Sequence, residues 1–119
     1  MITFEKVTVE NESVVKEMFK SHSLGEKKVQ YCVKVDDTYI GVIDYSVQEE
    51  RAVLSQLIIH FDYQGYGYGT NTYFTFEEMM KQRNVKEIKV LQEKLTEKAK
   101  SFIESVGFTS EDEEYVKKI

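Results

Sequence analysis

Seven residues, Gln64-Gly65-Tyr66-Gly67-Tyr68-Gly69-Thr70, constrain this chain more than any others. They follow an apolar run, Val53-Leu54-Ser55-Gln56-Leu57-Ile58-Ile59, and precede an amphipathic stretch from Asn71 to Gln82. A strand, a glycine-rich turn and a helix in that order make an anion site. The amides of the turn and of the first helical turn have no other partners, and the helix dipole adds attraction. Glycine lets the main chain approach a ligand because no Cβ intervenes. A nucleoside triphosphate loop needs G-x-x-x-x-G-K-[ST], and the required lysine is missing here. A dinucleotide fingerprint needs G-x-G-x-x-G, whereas this chain has G-x-G-x-G, even though Glu87 lies at the spacing of a ribose contact. A phosphate- or nucleotide-binding regulator is therefore one possible class.

The spacing that does match is Q/R-x-x-G-x-G/A, carried by Gln64-Gly65-Tyr66-Gly67-Tyr68-Gly69. It resembles the pyrophosphate-binding signature of the GCN5-related N-acetyltransferase (GNAT) superfamily. Leu57-Ile58-Ile59-His60-Phe61-Asp62-Tyr63-Gln64-Gly65 is similar to that family's strand-to-loop passage, L-x-V-x-P-x-Y-R-G. Ala99-Lys100-Ser101-Phe102-Ile103-Glu104-Ser105-Val106-Gly107-Phe108 resembles its late helix and the Gly-Phe that opens the next strand. The likeness covers the second half of the chain by motif and the first half by element pattern.

The resemblance implies an α/β (α+β) acyl-CoA N-acyltransferase fold. Its sheet is mixed and mostly antiparallel, strands four and five splay apart, and the early helical region is shortened. It also implies acetyl-CoA as co-substrate and a primary amine as acceptor, whether small metabolite, peptide N-terminus or lysine. The implied cofactor contacts are Ile58 and Ile59 by backbone, Gln64, Gly65, Tyr66, Gly67, Tyr68, Gly69 and Thr70 at the pyrophosphate, and Thr96 and Phe102 from the late helix. Late strands of this fold often exchange between subunits, so Tyr115 to Ile119 is a candidate for homodimer pairing.

At 119 residues the chain suits one domain, spanning 1–119. With 41% hydrophobic and 31% charged residues it is expected to fold rather than remain disordered. A net charge of −5 argues against nucleic acid as partner. No apolar run reaches the ~18 residues of a membrane span. The N-terminus lacks the pattern of a signal peptide. Cys32 is the only cysteine, which excludes an internal disulfide and points to a reducing compartment; the expected location is the cytoplasm. No metal site is expected.

Proline is absent, so Gly, Asn, Asp and Ser must make the turns. Met1 to Val9 alternates as a strand. Asn11-Glu12-Ser13 offers caps for a short helix to about Lys20, with Val14, Val15, Met18 and Phe19 on one face. Val29 to Val35 and Tyr39 to Val47 alternate around Asp36-Asp37, the pattern of an antiparallel hairpin. After a turn at Glu49-Glu50, Ala52 to Ile59 reads as a strand buried on both faces. The helix from Asn71 to Gln82 places Tyr73, Phe76, Glu77 and Met80 in one stripe. Val85 to Leu91 is a strand, Thr96 to Val106 a helix stopped by Gly107, and Phe108 to Ile119 a hairpin turning through Glu111-Asp112-Glu113-Glu114.

Gln64 stands where arginine is commoner in the resembling family, so it brings a hydrogen bond but no charge. Lys81, Lys94, Lys98 and Lys100 are other sources of positive charge. Tyr66 and Tyr68 are suited to packing on an adenine or on a second subunit. His60, at the strand end, is read as structural rather than as a base, and His22 as inert. Cys32 reads as a small buried residue without a base beside it.

Acetyl transfer needs a base for the ammonium and an acid for the leaving thiolate. The resembling family often supplies a strand-four glutamate and a late-helix tyrosine. The matching positions here are Ser55 and Gln56, which can orient a water but not act as bases, and Ile103. Tyr45, Tyr73 and Tyr115 are reserve acids. Two readings follow: an enzyme that works by holding its reactants together, with a backbone N–H near Ile59 as oxyanion contact, or a catalytically weak CoA-binding module with a recognition or regulatory role. The short region from Asn11 to Lys28 implies an open acceptor cleft.

Overall fold

A computed structural model of the protein describes residues 1–20, 29–92 and 95–119. In chain order the elements are β1 (Ile2–Lys6), α1 (Glu12–Met18), β2 (Tyr31–Val35), β3 (Thr38–Gln48), β4 (Arg51–Ile59), α2 (Tyr68–Gln82), β5 (Glu87–Leu91), α3 (Glu97–Ser105), β6 (Thr109–Glu111) and β7 (Glu114–Lys118). This is the order expected from the hydrophobic patterning. The seven strands form one sheet ordered β1-β2-β3-β4-β5-β7-β6. The β1–β2, β2–β3, β5–β7 and β6–β7 pairs are antiparallel; β4–β5 is parallel, over Arg51–Val53 against Glu87–Lys89. No helix among the described residues is long and apolar enough to cross a membrane.

The hairpins turn through residues with left-handed backbone. Asp36 (φ +53°), Glu49 (φ +58°) and Asp112 (φ +54°) occupy the three turns that a proline-free sequence had to make this way. The packing divides into two units, Met1–Asp44 with Gln56–Thr72, and Tyr45–Ser55 with Tyr73–Ile119.

In the first unit, Val15 and Phe19 at the end of α1 close a cluster with Cys32 of β2 and Val42 of β3, and Ile58 of β4 packs against it. The expected helix is shorter than its pattern suggested, ending at Met18, and Val14 is left exposed. Asn11 sits at its start but does not cap it: its Oδ1 accepts from the Thr8 amide at 2.7 Å, tightening the turn out of β1 instead. His22 lies outside the described residues.

The middle of β3 carries a bulge. Val33 pairs with Gly41 but Lys34 pairs with Tyr39, so Ile40 is the extra residue. Its carbonyl accepts from the His60 amide at 2.8 Å. A Cβ on Gly41 would lie 2.5 Å from the Ile58 carbonyl oxygen and 3.0 Å from Ile59 Cδ1. Glycine is required there for close approach between strands, and that approach fixes where β4 ends.

In the second unit, the α2 stripe is buried as expected, with Tyr73, Phe76 and Met80 fully enclosed. Tyr73 meets Phe108 edge-on at 5.5 Å, and Phe76 meets Tyr45 at 5.1 Å. Glu77 is buried too, and its partners are internal. Lys117 of β7 forms an ion pair with it, the Tyr73 hydroxyl donates to it at 3.0 Å, and Lys81 lies at 3.7 Å. Lys117 Nζ also donates to the Val106 carbonyl at 2.8 Å and lies over the rings of Tyr73 and Phe74. Gly107 (φ +107°) stops α3 and leaves room for the lysine stem.

Two expectations are corrected. β4 is not buried on both faces: Ala52 and Leu54 are enclosed while Arg51 and Ser55 are exposed, whereas its neighbour β3 is enclosed continuously from Ile40 to Tyr45. α2 starts at Tyr68, three residues earlier than the apolar pattern indicated, because glycines and polar residues in a first turn carry no periodicity to read.

Burial, reinforced by the charge of Glu5, pushes the Cys32 thiol from an ordinary 9.0 up to about 11. A folded thiol that holds its proton longer than the unfolded one contributes stability that is complete below about pH 9. That stability is lost as pH rises towards about 11. On the order of 2 kcal/mol should disappear across this window, and Cys32→Ala should flatten the fall. Urea midpoints at pH 8 and pH 10.5 check it, and identical slopes for the two proteins would contradict it. The phenols of Tyr39, Tyr73 and Tyr115 are raised as well and extend the decline to higher pH.

Candidate functional site

The segment from Gln56 to Thr72 belongs wholly to the first unit and carries the candidate cradle. Strand β4 ends at Ile59, and a single 3-10 turn over Phe61–Tyr63 follows. His60 organises the exit. Its Nδ1 accepts from the Asp62 amide at 3.1 Å, and its ring meets Phe19 edge-on at 5.6 Å. That is the structural role expected for it.

Gln64 turns back on the strand: its Nε2 donates to the Ile59 carbonyl at 2.8 Å. The side chain that replaces arginine thus ties the loop to β4. Gly65 (φ +87°) and Gly67 (φ +82°) then take backbone that side-chain-bearing residues avoid, and nothing lies within 4 Å of where their Cβ atoms would be. Gly67 accepts from the Asn71 amide at 3.0 Å, so it is the residue at which α2 begins. The amides of Tyr68, Gly69 and Thr70 therefore form the first turn of a fifteen-residue helix, with no acceptor inside it. These amides, at the positive end of the helix, suit a doubly charged anion without any side-chain cation.

Aromatic rings flank the loop. Tyr66 is 73% exposed, and its ring is 6.4 Å from that of half-buried Tyr68, which meets Tyr63 at 6.4 Å. Phe61 is exposed beside them.

Upstream on β4, Ser55 is exposed and Gln56 is half-buried. The nitrogen of the Gln56 side chain is enclosed and has no hydrogen-bond partner. Sequence reading had no access to that feature, since a glutamine in a strand gives no sign of which atoms are enclosed. It also missed Asp44 of β3, a buried carboxylate accepting from the Gln30 amide at 2.6 Å. An aspartate inside Ile40-Gly41-Val42-Ile43-Asp44-Tyr45 was the available signal.

The remaining positions lie in the second unit. Thr96 caps α3, its Oγ1 accepting from the Ala99 amide at 3.1 Å; Phe102 is half-buried; Ile103 is core. The reserve acids are all buried. Tyr73 donates to Glu77 and Tyr115 to Glu104, and burial followed by the neighbouring carboxylate holds each phenol's proton more tightly than usual. Lys81 pairs with Glu77 and Lys100 with Glu97, whereas Lys94 lies outside the described residues. The C-terminal strand β7 is hydrogen-bonded to β5 on one side and to β6 on the other.

Comparison with known proteins adds the relationship. The acetyltransferase (GNAT) domain model matches residues 2–119. A search of curated protein sequences finds no match. Among solved structures, an acetyltransferase from Thermus thermophilus superposes with a TM-score of 0.80 at 18% identity, covering 100% of this chain and 97% of that one. The PaiA N-acetyltransferase of Thermoplasma acidophilum, in complex with coenzyme A, gives 0.72 at 16% identity, covering 100% and 99%. Naa50 of Arabidopsis thaliana, in complex with the bisubstrate analogue CoA-Ac-MVNAL, gives 0.72 at 17% identity, covering 97% and 95%. At these identities the likeness is one of fold, and the match over nearly all the chain is what assigns the family. The chain belongs to the GNAT acetyltransferase family.

Proposed function

We propose that the protein is a single-domain, cytoplasmic, acetyl-CoA-dependent N-acetyltransferase whose acceptor is a primary amine. The observation that carries this reading is the open glycine cradle on the first turn of α2, directly after β4. Nothing lies within 4 Å of where a Cβ at Gly65 or Gly67 would be, so the loop is open to an approaching anion. Backbone amides from Gly65 to Thr70 bind the pyrophosphate, the Thr70 hydroxyl adds a donor, and Tyr66 and Tyr68 offer faces for the adenine. Backbone groups of Ile58 and Ile59 line the arm.

Bound acetyl-CoA supplies an activated thioester. The residues of this chain contribute orientation, exclusion of water and hydrogen-bond donors rather than a strong base. Ser55 and Gln56 carry no titratable group near neutral pH, and Ile103 carries none at all. Proximity therefore does most of the work, the ammonium proton leaving to solvent. The relatives solved with coenzyme A or with a peptide bisubstrate analogue support both the donor and an amine acceptor.

The same lack of a titratable pair favours a second reading, a CoA-binding module of low activity. One experiment separates them. Both readings expect acetyl-CoA to raise the melting temperature, but only the enzyme releases free CoA when given a panel of small amines, peptide N-termini and lysine peptides. A thiol reagent can follow that release directly, because Cys32 is 1% exposed and contributes little background. Silence across the whole panel selects the module.

Gly67→Val tests the donor site. A branched side chain puts bulk into the cradle and disfavours φ +82°. Losing two or more amide–phosphate contacts is expected to weaken acetyl-CoA binding on the order of a hundredfold. Calorimetric titration checks it, with circular dichroism showing a retained fold. Wild-type affinity in a folded Gly67→Val protein would refute the site.

A further inference from the structure

We propose that β1 is a dimerisation edge: two copies of the chain pair antiparallel through it, with Phe4 opposite Phe4 on the two-fold axis. The inference is independent of the acetyl-CoA reading.

The free backbone of β1 is the starting point. Among the described residues, β1 lies at one end of the sheet with β2 as its only neighbour. In an antiparallel ladder, successive residues aim their amide and carbonyl groups alternately at the partner strand and away from it. The phase is fixed here at both ends. The Val7 amide donates to the Gln30 carbonyl at 2.8 Å, and the Met1 carbonyl accepts from the Asp36 amide at 3.5 Å. Met1, Thr3, Glu5 and Val7 therefore aim their main-chain groups at β2. Those of Ile2, Phe4 and Lys6 point outward. Among the described residues only the Lys6 carbonyl of this set has a partner, the Asn11 side-chain amide at 3.2 Å.

Proteins blunt such an edge with proline, a bulge or charge. β1 has no proline, and its register with β2 is unbroken. Its acidic side chain is engaged within the chain: Glu5 accepts from the Tyr39 hydroxyl at 2.7 Å and lies 3.9 Å from Lys34 Nζ.

A second copy fits this edge in one register. A two-fold axis through Phe4 sets every outward group opposite another. Phe4 exchanges hydrogen bonds with Phe4, and on either side Ile2 exchanges them with Lys6 of the other copy. The Lys6 carbonyl has a second lone pair for this purpose. Thr3 then opposes Glu5, and Met1 opposes Val7, so no like charges meet. Met1 is 92% exposed in the single chain, and pairing gives it an apolar neighbour. The adjacent registers are worse. An axis through Glu5 sets two carboxylates opposite each other, and an axis through Thr3 leaves Lys6 outside the ladder. Two-fold pairing uses the edge in both copies, so association stops at two. The strand has five residues, which makes the dimer a weak one.

The test is sedimentation of the whole chain from about 1 µM to about 500 µM, the range in which a short ladder associates. Wild type should pass from monomer to dimer and no further, with or without acetyl-CoA. Thr3 is exposed and opposes Glu5 of the other copy. Thr3→Glu should therefore weaken the dimer several-fold, and Thr3→Lys should strengthen it several-fold. Phe4→Lys and Phe4→Glu should each be monomeric alone, because like charges meet on the axis, and an equimolar mixture should dimerise again. Circular dichroism establishes that these two variants fold; if they do not, the Thr3 pair decides. A wild-type protein that is monomeric throughout, or that grows past two, would overturn the proposal; the monomer would leave this edge to an extended segment of a different protein. So would a dimer that the Thr3 variants leave unmoved, or folded Phe4 variants whose mixture stays monomeric.

Discussion

Gly41→Ala should lower the melting temperature by about 10 °C, although it adds a single methyl group to a strand. The added carbon would lie 2.5 Å from the Ile58 carbonyl oxygen. Its neighbour is backbone, so no side-chain rotation relieves the overlap; β3 and β4 must separate. Overpacking of this kind costs about 2–3 kcal/mol, and Gly41→Val should cost more. Gly65 is the control. At φ +87° it also favours glycine, but a Cβ there meets nothing, so Gly65→Ala should cost only about 1 kcal/mol. Thermal unfolding of the three variants checks the ranking, and a Gly41→Ala protein as stable as Gly65→Ala would contradict it. The consequence is local to the site, because Gly41 and Ile40 set the end of β4 from which Gln64 and the cradle follow.

The second large effect concerns the charges inside α2 and β7. Lys117→Met removes the ammonium yet keeps most of the stem that lies along Tyr73 and Phe74. It leaves Glu77, whose side chain is 9% exposed, with the Tyr73 hydroxyl and a lysine 3.7 Å away. Breaking a buried pair from one side costs about 3–5 kcal/mol, and the residual contacts put this case near 3, again about 10 °C. Replacing both partners, Lys117→Met with Glu77→Leu, should recover most of the loss, because a well-packed apolar pair can match a buried ion pair. A double variant no more stable than the single one would show that the lysine acts through its packing and its bond to the Val106 carbonyl, not through its charge.

Neither feature was visible in the sequence, and the reason is the same in both. Gly41 interrupts a run of β-formers and Glu77 an apolar stripe, but periodicity records which face a residue takes, not which distant atom it meets. Elements with strong alternation or helical spacing were legible: the hairpins through Asp36 and Glu49, the α2 stripe, and Gly107 as the stop of α3. The glycine turn was legible because its glycines sit at fixed offsets and their positive-φ backbone is a local matter. The start of α2 was not, since Tyr68-Gly69-Thr70 has no apolar rhythm, and neither was the exposed face of β4 at Ser55, because polarity at one residue does not reveal what covers the strand. The contact of the Gln64 side chain with the Ile59 carbonyl was not legible either, because it depends on where the strand ends.

The outer edge of the sheet beside β7 has a further consequence, for association between molecules. β6 is only three residues long and fully exposed, and it runs straight into Glu111-Asp112-Glu113-Glu114. A strand edge is an open template for another chain, and shortness combined with charge is how proteins blunt it. A second copy that tried to extend the sheet at this edge in parallel register would bring two acidic turns side by side with little ladder to repay the repulsion. The same turn that closes the fold thus discourages the molecule from polymerising through its own sheet.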